Sequence, residues 1–343
     1  MIMAKMKKKE PQTLAELMQD TVVEDLLLNA EVLGFHEGGV MDRMKPYQMK
    51  QYLAKQILQN PVQVLNRMSV EDLVLMQQLV DAGPGMSAVY FMNGAVPPCA
   101  MLGLIDCHSN LEERKDYYTM TDDLREAIRP HLEQAKDDFE NKFRFYVESL
   151  LLGMLNIYGC CTETQLKTML KELLELEDDG SGVFEHIYPQ SAALQLCCYD
   201  YEEYEETMYA SPIIFTIDSV LIERDEHPEI KQLKRFDKDE VKEAGGMPTP
   251  TLSNAFDDKL INAFQTNLDM AEQEAILMEF SVWQLLQNMD GPSEVIQHLL
   301  KKDQRVVQVM PVLVDYLNHA PQWRFSGYSA DDLSKLREKM EYN

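Results

Sequence analysis

With 343 residues and 45% hydrophobic content, the chain is too long for one small core and too apolar for a disordered polymer, so two or three packed domains are expected. Its 32 Lys and Arg against 58 Asp and Glu give a formal charge of -26, a sign that repels nucleic acid and anionic membrane surfaces. Six cysteines without a disulfide-type framework are expected to be reduced, buried as small hydrophobes in a cytoplasmic protein.

The charge is unevenly spread. From Glu172 to Glu223 there is no Lys or Arg, while thirteen Asp or Glu fall in the same window. The start has a Lys5, Lys7, Lys8 and Lys9 cluster; Glu10, Pro11 and Gln12 follow where an export signal would turn apolar. The longest strongly apolar stretch, Leu150 to Leu155, falls far short of the ~20 residues that cross a bilayer. No membrane partner is expected.

In chain order, Leu14, Leu17, Met18 and the run from Val22 to Leu28 predict one helix over 13–28, closed by Gly34, Gly38 and Gly39. Pro46 suits the first turn of a helix to about Leu58, Asn60 and Pro61 open another, and Ser69 with Asp72 forms a capping box for a third, to about Asp81. Met101 to Asp106, a polar turn, and Asp116 to Thr121 predict a β-hairpin leading into a helix at Asp122. Three helices followed by a hairpin suggest a winged helix.

The order recurs. A helix around Pro130 to Asn141 precedes one over Phe143–Tyr158, ended by Gly159. Thr162 and Gln165 then cap a helix through Leu174. Val183 to Ala193 holds a third short helix, and 194–199 with 207–210 flank an acidic hairpin tip. Asp218 to Ser253 is charged, with Gly245 to Pro250 as its most linker-like part, and is expected to run over the surface. Helical periodicity returns over Phe256–Met289. Gly291, Pro292 and Ser293 start the next helix, Pro311 kinks the one over 304–318, and Ser329 with Asp332 begins the last. The expected fold is mainly α with small β-hairpins. Its domains are an N-terminal helical and first winged-helix-like unit (1–130), a linker helix with a second, acidic winged-helix-like unit (131–217), a linker (218–255) and a C-terminal helical domain (256–343).

The stretch Asn318-His-Ala-Pro-Gln-Trp323-Arg-Phe-Ser-Gly327-Tyr-Ser-Ala-Asp-Asp332-Leu resembles a segment of a loosely defined group of uncharacterised bacterial proteins that often end in an SEC-C zinc motif. The opening hundred residues resemble the Rho-terminus-like or SAP-like helical start of that group. The chain departs from the group in two places: no Cys follows Cys198, so the zinc motif is absent, and Pro is missing before Asp331 and Asp332. The resemblance implies a helical and winged-helix layout. It implies no activity.

Chemistry-bearing patterns are sparse. Gly-x-Ser-x-Gly, a phosphate loop and His-Glu-x-x-His are all missing, so no catalytic site and no cofactor are expected. Cys99, Cys107 and His108, or the pairs Cys160-Cys161 and Cys197-Cys198, lack the knuckle spacing of structural zinc, and no metal is expected. Glu175, Glu177, Asp179 and Gly180 imitate a calcium loop that fails at its closing position, where His186 stands. Glu223, Asp225, Glu226 and His227 read as a surface charge run.

Nucleic acid binding needs Lys or Arg on the inserted helix or wing. It is excluded for 172–223, and is open only through the first unit, with Arg67, Arg114, Lys115, Arg125 and Arg129. The most suggestive binding feature is the acidic tip, where Tyr199, Tyr201, Tyr204 and Tyr209 alternate with Glu202, Glu203, Glu205 and Glu206. Trp323, Arg324 and Tyr328 form a second candidate. The expectation is a non-enzymatic interaction or adaptor protein that contacts a basic protein surface; the alternative is a DNA-associated regulator using the first unit.

Overall fold

The computed structural model describes residues 13–91, 96–111, 115–200, 204–245, 255–289 and 291–341. These fall into two compact units, one of residues 13–91, 96–143 and 189–193, the other of 144–188 and 194–341. The chain is mainly α with two small antiparallel sheets, as its periodicity predicts.

In the first unit, α1 (Leu14–Leu17), α2 (Val23–Val32), α3 (Pro46–Gln59), α4 (Pro61–Leu65) and α5 (Val70–Ala82) lead to β1 (Ala88–Phe91) and α6 (Pro98–Met101). The hairpin β2 (Asp106–Asn110) and β3 (Lys115–Thr119) follows, then α7 (Asp122–Ile128) and α8 (Leu132–Asp137). The sheet order is β1-β3-β2. The single helix expected over 13–28 is two, because Thr13 and Glu16 close a capping box around a one-turn helix and extended Thr21 and Val22 interrupt the run. The hairpin's first strand lies later than expected: Leu102, Leu104 and Ile105 are core residues beside α6. The Ser69–Asp72 box forms as predicted. It does more than cap, since the buried Asp72 also accepts from the Cys99 backbone at 3.0 Å, tying α5 to the start of α6.

In the second unit, α9 (Phe139–Tyr158, its first residues counted with the first unit) runs into β4 (Cys160–Thr162), α10 (Glu163–Leu174), α11 (Ser181–Ile187), α12 (Ala192–Leu196, its first residues likewise counted with the first unit), β5 (Cys198–Tyr199) and β6 (Met208–Ala210). The sheet order is β4-β6-β5. Next come α13 (Ile217–Asp225), α14 (Lys238–Ala244), α15 (Ala255–Leu268), α16 (Glu272–Asn288), α17 (Pro292–Lys302), α18 (Met310–His319) and α19 (Ala330–Glu341). One continuous apolar core links Cys160, Met208 and Ala210 of this sheet with Phe264, Trp283, Leu313 and Trp323 of the later elements. Pro311 starts α18 rather than kinking a longer helix, as its missing N–H suits a first turn.

Residues 218–245, expected on the surface as a linker, hold α13 and α14, each with a buried face. Two glycines let α14 lie directly on α9. A Cβ at Gly153 would stand 1.8 Å from the Val241 carbonyl oxygen, and one at Gly245 1.8 Å from that of Ser149. Gly245 is therefore a packing residue. Asn156 seals the contact, donating to Ala244 O at 2.8 Å and accepting from Ser211 Oγ at 2.9 Å. Gly153→Ala must push backbone apart and is expected to cost about 1–3 kcal/mol, the usual range for overpacking; a urea midpoint unchanged from wild type would contradict this contact.

Candidate partner-binding surface

Two expected binding clusters meet different fates. Trp323 is fully buried. Its indole N–H donates to Asn156 O at 2.7 Å, its backbone N–H to Gln287 Oε1 at 2.8 Å, and its ring meets Trp283 edge-on at 5.7 Å. Arg324 is buried too, donating to the Leu286 and Met289 carbonyls at the end of α16 and pairing with Glu223 at 3.1 Å. Tyr328 is half-buried, and its carbonyl accepts from Gln322 N–H at 3.1 Å. Trp323 and Arg324 are thus core residues, and this motif is no docking surface. Its types answer to packing: Gly159 (φ +76°) leaves room for the Trp323 ring, and Gly327 (φ +85°) for that of Tyr158.

At the acidic hairpin Asp200, Glu205 and Glu206 are exposed, but the described tyrosines are not free anchors. Tyr209 is buried on β6, edge-on to Phe184 and Tyr188. Tyr199 and Tyr204 pack half-buried on the core, and Tyr204 donates its hydroxyl to Asp218 at 3.0 Å. Strand alternation puts Tyr199, paired with Met208, and Tyr209, paired with Cys198, on opposite faces of the sheet, and each face is covered. Asp200, Glu205 and Glu206 stay in water, Glu206 accepting from Thr164 Oγ1 at 2.8 Å. Tyr201, Glu202 and Glu203 lie outside the described residues, as do Lys5 to Lys9 and Arg114.

Two of the first unit's candidate bases, Arg67 and Arg125, are committed to its own backbone. Arg67 donates to Val32 O at 2.9 Å and Pro189 O at 2.6 Å. Arg125 is buried and donates to Leu79 O at 3.3 Å and Met120 O at 3.0 Å while pairing with Asp122. Arg129 is half-exposed beside Glu126 at 3.4 Å.

Other expected charge clusters also resolve into structure. Asp178 and Asp179 accept from the backbone N–H groups of Gly180 and Ser181, which makes the calcium-like loop a tight turn leading into α11. Glu223 serves Arg324, and His227 stands edge-on to Phe325 at 4.8 Å, so this run is partly packed rather than a plain surface patch. Sequence reasoning missed Arg224, whose guanidinium donates to the carbonyls of Trp323 (3.0 Å), Cys160 (3.1 Å) and Tyr158, since nothing in its charged neighbourhood marks it as inward-facing.

Cys99, Cys160, Cys161 and Cys197 are buried, and burial pushes each thiol upward, which keeps them protonated and inert. Both faces of β4 are covered, so the adjacent thiols of Cys160 and Cys161 are equally hidden. Among the described residues no group of three or more His, Cys, Asp or Glu is placed to hold a metal ion, and no helix is long and apolar enough to cross a membrane. Comparison with protein-family models, with curated proteins and with solved structures found no match to this chain.

Proposed function

We propose that this chain is a non-enzymatic interaction protein whose segment from α9 to β6 is a winged helix adapted to contact a basic protein. The element order from α9 to β6 and the strand order β4-β6-β5 support the winged-helix reading. The observation that carries the choice of partner is the exposed wing with Asp200, Glu205 and Glu206, set in a window without a single Lys or Arg. A phosphate backbone cannot be neutralised by such a surface, whereas a cationic protein can be steered to it.

The helix that would read a DNA groove adds a second argument. α11, the third helix in that order, carries Glu185 and no Lys or Arg, so it brings no cation to a phosphate backbone. The alternative of a DNA-associated regulator acting through the first unit is less supported, because Arg67 and Arg125 serve backbone carbonyls. The likeness of the 318–333 segment to the bacterial SEC-C-associated group stays part of this proposal and concerns layout only.

The test is affinity capture from cell extract at low salt, comparing the wild-type chain with one carrying Asp200→Asn, Glu205→Gln and Glu206→Gln. Captured proteins of high isoelectric point should fall away in the variant. Capture that is unchanged, or a salt-dependent mobility shift of duplex DNA by the wild-type chain, would overturn the reading.

A further inference from the structure

The acidic surface has an apolar edge. Asn288 clamps the segment before α13, accepting from Phe215 N–H at 2.9 Å and donating to Ile213 O at 3.3 Å and Gln284 O at 3.1 Å. From this fixed backbone the Phe215 ring stands 73% exposed. Along α13, Ile217 and Val220 face the core and Arg224 turns inward to its carbonyls, which leaves Asp218, Ser219, Ile222 and Asp225 on the outside. Ile222 is 62% exposed. The Tyr204 hydroxyl on Asp218 joins this face to the wing.

Single exposed apolar residues are ordinary. Here an aromatic ring and a branched aliphatic chain flank one short helix, ringed by carboxylates, and the nearest arginine in sequence is withdrawn into the core. Such a face stays soluble alone and offers area for burial to a segment of opposite charge. A rigid backbone also lowers the ordering cost of docking.

We propose that the outer face of α13 docks a Lys- or Arg-rich amphipathic segment of a partner protein, its apolar side chains on Phe215 and Ile222 and its cations against Glu206, Asp218, Asp225 and Glu226. The inference rests on the basic-partner reading and adds an apolar anchor to it, so affinity depends on shape as well as charge.

Two fluorescein-labelled peptides of equal lysine count separate the ideas, one with Leu at helical spacing between the lysines and one with Ser there. Each is titrated by anisotropy against the full chain, Phe215→Ser/Ile222→Ser, Glu206→Gln/Asp218→Asn, and Val307→Ser as an equally exposed control (61%). The Leu peptide should bind the wild-type chain and lose about tenfold or more on Phe215→Ser/Ile222→Ser, the scale of losing a packed anchor. The Ser peptide should respond only to the acid replacements, and Val307→Ser should change neither. If the Leu peptide ignores Phe215→Ser/Ile222→Ser yet weakens with the acids, the docking inference fails while the basic-partner reading stands. If no variant weakens either peptide, both fail.

Discussion

Trp323→Ala should destabilise the second unit by about 3–5 kcal/mol, the range for deleting a large buried aromatic ring. The indole is fully buried between Gly159 and Trp283, and its loss also leaves the Asn156 carbonyl without its donor. Far-UV circular dichroism during urea unfolding measures the effect without relying on the removed fluorophore. A paired variant sharpens the result. A Cβ at Gly159 would stand 2.6 Å from Trp323 ring atoms, so Gly159→Ala suffers both a clash and an unfavourable φ of +76°. In the Trp323→Ala background the clash with the ring is gone, leaving the φ strain and the close residue-323 Cβ at 3.0 Å, and Gly159→Ala should cost less there than in the wild-type chain. Strict additivity of the two would show that the ring and the glycine do not share this space.

The second large effect is a dependence on pH. Glu279 on α16 is buried, with one carboxyl oxygen accepting from the Tyr316 hydroxyl at 2.5 Å and the other without a hydrogen-bond partner. Burial outweighs the Tyr316 bond and pushes this carboxyl from 4.5 up to about 7. Asp257 adds a further acid beside Tyr316, whose hydroxyl is held well above its ordinary range by burial first and by these carboxylates second.

The folded chain therefore keeps a proton that the unfolded chain releases. As pH rises from about 4.5 to about 7, stability is lost, by about 3 kcal/mol for a shift of this size, and the loss levels off above the upper limit. Glu279→Gln imitates the protonated acid at every pH. Its advantage over wild type should be near zero at pH 4.5 and grow to about 3 kcal/mol at pH 8. Urea midpoints measured across that range decide the matter, and a difference that stays constant with pH would refute the assignment.

Local signals carried the element boundaries well where they rest on a single turn. Ser69 with Asp72, Thr162 with Gln165 and Ser329 with Asp332 each bond reciprocally across the first turn of a helix, because a capping box involves only four consecutive residues. Pro46, Pro61 and Pro292 likewise stand in first turns. Boundaries that depend on packing were missed. The run Phe256–Met289 reads as one periodic helix, yet it breaks at Asp269, whose φ of +57° turns the chain so that α15 and α16 can pack. Strand β1 went unseen because four residues carry too little alternation, and only pairing with β3 makes them a strand.

Binding residues divide along the same line. Charge is a property of composition, so the absence of Lys and Arg from residues 172–223 is legible in the sequence alone. Exposure is a property of the whole fold, so which aromatic and charged groups remain available depends on how the chain packs. Trp323, Arg324 and Tyr209 look like an interface in one dimension, but the cavity over Gly159, the carbonyls ending α16 and the pair Phe184 and Tyr188 take them inward. Phe215 and Ile222 look like core and stand in water, because the buried side of α13 is already filled by Ile217, Val220 and the stem of Arg224. Chemical type is local and was legible, whereas the competition among residues for a limited interior is settled only when the chain closes on itself.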